Sequence, residues 1–432
     1  MLTDADAKDL EKLRKLYAPL FDALGLVGLK RDDVLQMFTF GTQTIEPSLD
    51  DVVRRLDVPI LWGGTLKYPT DSEAKKVFGT SSVAGIDRVC LDCALNAEIL
   101  LESPDLTDPA NPKLGKFAYK DGKPAFRTGL KLPFVLILPD GEPPFPILVF
   151  QHGVNGLATD VAKIASDLAS AGFAVLALDA PYHGDHTVRI PGAETGTGFF
   201  SADVFATRDA IREAVLDQYQ ATRFIRERLN TFLADQMGRL PADPPVVKTE
   251  AIGYLGTSLG GIIGTVSVGM NPHFKRAALV VTGGHLVRIF LETKNTDFQM
   301  PLIKALAAMG IAPGSSAFDR FTMTAQWALD RADPVNFARL ADLPDLPAAD
   351  RILMIEAAGD EFIPNATTEE LRDAFGAATG KPPKLVAYPE QGGTLCHRFF
   401  LHSCDAAQFP TALADQAAAR KVVVTFLSQV ED

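Results

Sequence analysis

Gly256-Thr257-Ser258-Leu259-Gly260 sets a serine between two glycines, each two residues away. The apolar run Ala251–Leu255 precedes it, and Gly260-Gly261-Ile262-Ile263-Gly264 opens an apolar helix behind it, so Ser258 falls on a sharp strand–turn–helix corner. Such a corner strains the serine backbone and needs glycines where neighbouring chain leaves no room for a Cβ. It also lifts the hydroxyl clear of the backbone. A serine here can instead be a simple helix N-cap. What separates the two readings is whether partners for nucleophilic chemistry follow.

A serine hydroxyl is a weak nucleophile without a base, and the base needs an acid to orient it. With a nucleophile at this corner, the expected chain order is Ser, acid, His. Downstream, the strand-like Ile352–Ile355 runs into Gly359-Asp360-Glu361-Phe362-Ile363-Pro364. Asp360 thus sits just past a strand's C-terminal end, where open α/β sheets place their sites. Glu361 is its rival, Glu356 lies inside the strand pattern, and an Asx-turn is the competing role for Asp360. Of seven histidines only His397 and His402 follow it. His397 belongs to the loop Gly392–Phe400 after the last strand, from which a base can hang over the nucleophile, whereas His402 falls in a following turn. His397 is therefore preferred.

Acyl transfer also needs two donors aimed at a developing oxyanion. The backbone N–H of Leu259 is one candidate. The other is that of Val154, in the loop Gln151-His152-Gly153-Val154-Asn155-Gly156. His152 precedes the nucleophile and is read as fixing that loop. Asp179-Ala180-Pro181-Tyr182-His183-Gly184 reads as a structural turn, and His186, His273 and His285 read as ordinary core or surface histidines.

The elements that must position these residues form an alternation. From about Pro133 short apolar runs (Phe134–Leu138, Ile147–Phe150, Phe173–Leu178, Ala251–Leu255, Ala278–Val281, Ile352–Ile355, Leu385–Tyr388) alternate with helical patterns at Val161–Ala171 and Ala206–Arg228. Near-continuous apolarity suits strands buried on both faces, so the reading is a mainly parallel sheet of βαβ units. A closing helix is expected around Val422–Leu427. Residues 284–345 separate two strands by far more than an ordinary loop; with Phe290, Met300, Leu302, Met309, Phe321 and Met323 they are expected to form helices of their own. Residues 1–60, with an amphipathic pattern at Leu10, Leu13, Leu16, Tyr17 and Leu20 and a strand-like Val34–Phe40, are expected to be an appendage packed on the core. The remainder, 61–283 and 346–432, is the core.

Of the 432 residues, 47% are hydrophobic and 22% charged, which excludes a disordered chain. The net charge of −12 and the absence of a Lys/Arg run argue against nucleic-acid binding. No apolar stretch reaches membrane-spanning length, and no signal-peptide pattern is visible at Met1–Asp6. Cys90 and Cys93 lack the further ligands of a zinc site, so no metal is expected. The four cysteines (Cys90, Cys93, Cys396, Cys404) fit two local disulfides in an exported protein or four free thiols in the cytoplasm.

Together these pieces resemble the α/β-hydrolase superfamily: His-Gly after one strand, Asp-x-Pro-x-His-Gly after the next, then G-x-S-x-G, Asp and His in order over residues 130–430. More narrowly, the chain resembles bacterial virulence-factor-type extracellular lipases. That likeness rests on Phe150–Gly153, Arg208–Arg212, Gly256–Gly261, Ala325-Gln326 with Asp330–Asn336, Gly359-Asp360 with Ile363–Asn365, and Phe38–Thr44. The resemblance implies an α/β-hydrolase fold with a helical cap insert at 284–345 and a cofactor-free serine carboxylesterase or lipase, secreted or held at a bacterial surface. Ser258, Asp360 and His397 would act on a small-molecule or lipid ester, and Leu259 and Val154 would bind the oxyanion. Rival expectations are a peptidase, a polyester or feruloyl-ester hydrolase of the same fold, and an inactive surface binding module.

Overall fold

The structure is a computed structural model. It describes residues 47–430 except 58–59, 79–82, 109–112 and 241–242, together with Lys8, Glu11, Lys12, Arg14, Lys15, Tyr17, Ala18, Pro19 and Lys30. Residues 1–44 and 45–432 form separate compact units. In the first, all the described residues from Lys8 to Pro19 are helical, and Arg14 pairs with Glu11 at 2.7 Å. The leucines of the expected amphipathic face and the strand-like Val34–Phe40 lie outside the described residues.

The second unit is built on a nine-stranded sheet. Its strands are β1 (Ile60–Gly63), β2 (Ile86–Ile99), β3 (Arg127–Pro139), β4 (Phe145–Gln151), β5 (Ala174–Leu178), β6 (Val247–Thr257), β7 (Phe274–Val280), β8 (Ile352–Ala357) and β9 (Lys384–Tyr388). They lie in the order β1-β2-β3-β5-β4-β6-β7-β8-β9. From β5 to β9 every neighbouring pair is parallel, and from β1 to β5 every pair is antiparallel.

The parallel half is where the apolar runs alternate with helices. All residues of β5 and β8 are buried, as strands covered on both faces require. Side chains leave alternate faces: Ile147 and Val149 of β4 join one core with Ile211, Ile262, Phe337 and Leu371, while Leu148 and Phe150 join the other with Leu168, Val423 and Leu427. Each such buried side chain contributes roughly 1.5–3 kcal/mol. The first face is covered by helices α1 (Val204–Phe224), α2 (Leu259–Met270) and Asn365–Phe375, the second by Ala165–Ser170 and the closing helix Ala412–Leu427.

The elements differ from the sequence reading in three places. The expected helix Val161–Ala171 is a 3-10 turn, Ala158–Lys163, followed by the short helix Ala165–Ser170, because Ile164 leaves helical dihedrals between them (φ −129°, ψ 1°). Helix α1 starts at Val204, where Asp203 caps the Ala206 N–H, and runs through a π turn at Ile225–Leu229 into Asn230–Gln236. Strand β2 is outside the alternation, and β3 extends the expected run Phe134–Leu138 back to Arg127 and pairs antiparallel with both its neighbours. Strand β2 carries register shifts, one of them spanning Cys90 and Cys93, and these two cysteines are joined as a disulfide.

Segment 284–345 is helical, with α3 (Leu286–Glu292), α4 (Thr296–Ala308), α5 (Ser316–Leu329) and α6 (Pro334–Ala338). The buried Asp333 closes the segment on itself. Its carboxylate accepts from the N–H groups of His285 (3.0 Å) and Leu286 (2.7 Å) at one end and of Val335 (3.2 Å) at the other. Among the described residues no helix is long and apolar enough to cross a membrane.

Candidate active site

Ser258 joins β6 to α2 with φ 53° and ψ −117°, a strained conformation for a residue with a side chain. The flanking glycines make it possible. A Cβ on Gly256 would lie 2.2 Å from the Gly260 carbonyl oxygen, and one on Gly260 would lie 2.2 Å from that of Gln151. The Tyr254 hydroxyl, fully buried beneath the corner, donates to the Gly260 carbonyl at 2.6 Å and receives the Gln218 amide at 3.1 Å. Burial pushes its pKa up, so it stays a neutral donor. The Ser258 side chain makes no N-cap bond to the helix behind it.

Asp360, His397 and Ser258 form one hydrogen-bonded chain. His397 Nδ1 lies 2.7 Å from Asp360 Oδ2, and His397 Nε2 lies 2.8 Å from Ser258 Oγ. The carboxylate accepts only, so Nδ1 carries the proton and Nε2 is free to accept from the hydroxyl. The other carboxylate oxygen, Oδ1, accepts from the N–H groups of Phe362 (2.8 Å) and Ile363 (3.1 Å). The two roles weighed for Asp360 therefore coexist, one oxygen turning the loop and the other holding the ring. Asn365 fixes the same loop, accepting from the Gly359 N–H at 2.8 Å and donating to Ala357 O (2.8 Å) and Glu356 Oε2 (3.0 Å).

The rivals lie elsewhere. Glu356 is buried in β8 against Asn365, and burial raises its pKa. The exposed Glu361 contributes its carbonyl, which accepts from the Lys294 N–H at 2.9 Å. His402 pairs with Lys163, Nε2 to Nζ 3.3 Å, and burial lowers its pKa. A disulfide between Cys396 and Cys404 closes the loop that carries His397.

The loop after β4 is braced by two buried histidines. His152 Nδ1 donates to Gly153 O at 2.7 Å while Nε2 accepts from the Ala180 N–H at 3.0 Å, and His183 accepts from the Asn155 N–H at 3.2 Å while bonding Pro181 O at 2.9 Å. Burial holds both pKa values down, that of His183 to about 3, so they are neutral braces rather than bases. Asp179 ties the same turn to the loop by accepting from Ala158 (2.7 Å) and Asp185 (3.0 Å) N–H groups. Val154 and Leu259 line one recess together with Ser258.

Phe362 carried no signal in the sequence beyond its place in the Asp360 loop. Its ring stacks on His397 with centroids 5.0 Å apart and planes 21° apart, and Phe298 of α4 packs against the same Phe362 ring with centroids 4.8 Å apart. Among the described residues no group of three or more His, Cys, Asp or Glu side chains could hold a metal ion.

Two comparisons with known sequences, one with family models and one with curated proteins, find no match. Solved structures do resemble the chain. Acetyl xylan esterase 1 from Thermoanaerobacterium sp. JW/SL YS485 is 14% identical with a TM-score of 0.53, over 89% of this chain and 92% of that one. The acetyl xylan esterase from Paenibacillus sp. R4 is 14% identical with a TM-score of 0.48, over 89% and 96%. The first likeness, with the strand order and the serine corner, shows the fold: this is an α/β-hydrolase-fold protein.

Proposed function

We propose that the chain is a serine carboxylic-ester hydrolase working through an acyl-enzyme. The observation that carries this is the continuous chain Asp360–His397–Ser258 at 2.7 and 2.8 Å, ending on a strained serine at the floor of a recess. In this reading His397 takes the Ser258 proton as Oγ attacks the ester carbonyl. Asp360 holds the ring tautomer and stabilises the imidazolium. The N–H groups of Leu259 and Val154 receive the oxyanion, a contribution of roughly 3–4 kcal/mol per donor in comparable sites. His397 then protonates the departing alcohol, and water attacks the acyl-enzyme with His397 again as base.

Helices α3 to α5 act as a cap whose apolar side chains, among them Phe290, Phe298 and Phe321, line the acyl side of the site. The paired Cys90–Cys93 and Cys396–Cys404 disulfides favour an oxidising compartment. With the likeness to virulence-factor-type extracellular lipases, they support a secreted or surface-held enzyme. The test is hydrolysis of p-nitrophenyl butyrate by the wild type and by Ser258→Ala. The reading expects turnover in the first and its near-complete loss in a folded second; equal turnover in both would refute it.

A further inference from the structure

Ser258 stands between two recesses, one without charged side chains and one of mixed lining that carries both charge signs. One, about 810 Å³ including its open mouth, runs under the cap between α1, α2 and helices α3 to α5. No charged side chain lines it, and its walls include Ile262, Phe290, Phe298, Leu302, Leu306 and Leu329. The other is a cleft of about 1080 Å³, likewise including its open mouth, and Phe362 lines both. Asp160, Arg398 and His402 share the cleft wall with apolar Leu157, Phe400 and Leu401, and so does His397, which is absent from the recess under the cap.

The position of His397 decides which half of an ester goes where. When the tetrahedral intermediate collapses, the C–O bond to the alcohol breaks and its electron pair leaves with the oxygen. That oxygen must take the proton that His397 Nε2 received from Ser258, so the leaving group has to lie within reach of Nε2. The alcohol therefore departs on the cleft side. The acyl carbon stays on Oγ, and its substituent is left the flank lined by Leu259 and the cap.

The cleft wall also says what kind of alcohol. It carries both charge signs: the Asp160 carboxylate, held by the Leu157 N–H at 3.0 Å and paired with Lys163, and the exposed Arg398 guanidinium. A mixed set of donors and acceptors suits hydroxyl groups, which offer both, better than a singly charged ligand. The apolar recess makes the reverse selection, since burying a polar acyl substituent there leaves it without partners. Resting on the esterase reading above, we propose that the substrates are esters joining an apolar acyl chain to a hydroxyl-rich alcohol, with the chain under the cap and the alcohol against Arg398.

The experiment measures kcat/KM in one detergent for p-nitrophenyl acetate and octanoate, and for glycerol mono-octanoate and butyl octanoate. The wild type is expected to prefer octanoate over acetate and the glycerol ester over the butyl ester, each by about 10-fold or more. Leu302→Trp, which fills the recess, should reverse the octanoate-to-acetate ratio, and Arg398→Ala should bring the glycerol-to-butyl ratio close to one through KM. Acetate favoured in the wild type, butyl octanoate cleaved as well as the glycerol ester, or an unchanged ratio in either variant would overturn the assignment while leaving an active esterase. If no ester of the four is cleaved, the esterase reading falls and this assignment falls with it.

Discussion

Among the described residues, two Asp–His pairs at hydrogen-bond distance share a similar geometry and have opposite consequences. In one, His397 and Asp360 lie 2.7 Å apart; in the other, His186 Nε2 and Asp217 Oδ2 lie 3.0 Å apart. The difference is at the far ring nitrogen. That of His397 meets a serine hydroxyl, and its side chain keeps 13% exposure on the wall of the cleft beside Ser258. That of His186 accepts the Val188 N–H at 3.2 Å, and its side chain is fully buried. Beside it Glu213 is buried on the same helix, accepting from the Leu100 and Leu101 N–H groups at 3.1 and 2.7 Å, and burial raises the pKa values of both Glu213 and Asp217. A carboxylate–imidazole pair is thus chemistry only where its second nitrogen faces a nucleophile and a path to solvent. Closed inside the core, the same pair is a structural brace.

The largest separation between the two pairs should appear in activity. Asp360→Asn is expected to lower kcat by about 10⁴-fold by favouring the wrong tautomer, with a thermal midpoint near that of the wild type. Stopped ester turnover beside circular dichroism melting checks both halves of this statement.

His186→Ala should do the reverse. It leaves Asp217 buried without its hydrogen-bond partner, a loss of roughly 1–3 kcal/mol, while kcat per folded molecule stays near that of the wild type. Denaturant unfolding with active-site titration distinguishes this from a catalytic role.

The Cys396–Cys404 ring sharpens the comparison from the His397 side. Closing nine residues constrains the unfolded chain by roughly 2–3 kcal/mol in the chain-entropy model. The double variant Cys396→Ala/Cys404→Ala should melt several degrees lower and lose kcat several-fold as the loop loosens. The same change at Cys90 and Cys93, far from the triad along the sheet, should leave kcat alone.

The smallest effect concerns the braces of the β4 loop. The folded pKa of His183 is held to about 3 by burial, below the roughly 6.5 of an unfolded histidine. Between those values the unfolded chain binds the extra proton, so this group makes stability fall as the pH drops through that window. Replacing His183 with Gln, which keeps an acceptor for the Asn155 N–H, should flatten the acid side of the stability profile measured by urea unfolding from pH 7 to 4.

The comparison also shows how far the sequence could be read. Ser258 and its glycines are local, so their corner was legible from spacing alone. Asp360 and His397 were legible because strand ends in a parallel sheet deliver their loops to one edge in chain order. The pair His186–Asp217 was not, since the two sit 31 residues apart and nothing in either neighbourhood marks them as partners. Nor was Phe362 on His397, a contact made across two loops. Strand β2 escaped because its burial pattern is broken by register shifts, so neither a period of two nor a continuous apolar run is visible from Ile86 to Ile99.

The central claim is that Ser258 is a nucleophile activated by its histidine. Its most direct test is treatment of the protein with a fluorophosphonate, followed by digestion and mass spectrometry of the labelled peptide. The account predicts a single stoichiometric adduct on Ser258, abolished in Ser258→Ala and strongly slowed in His397→Ala. No adduct, or an adduct on another residue, would contradict it.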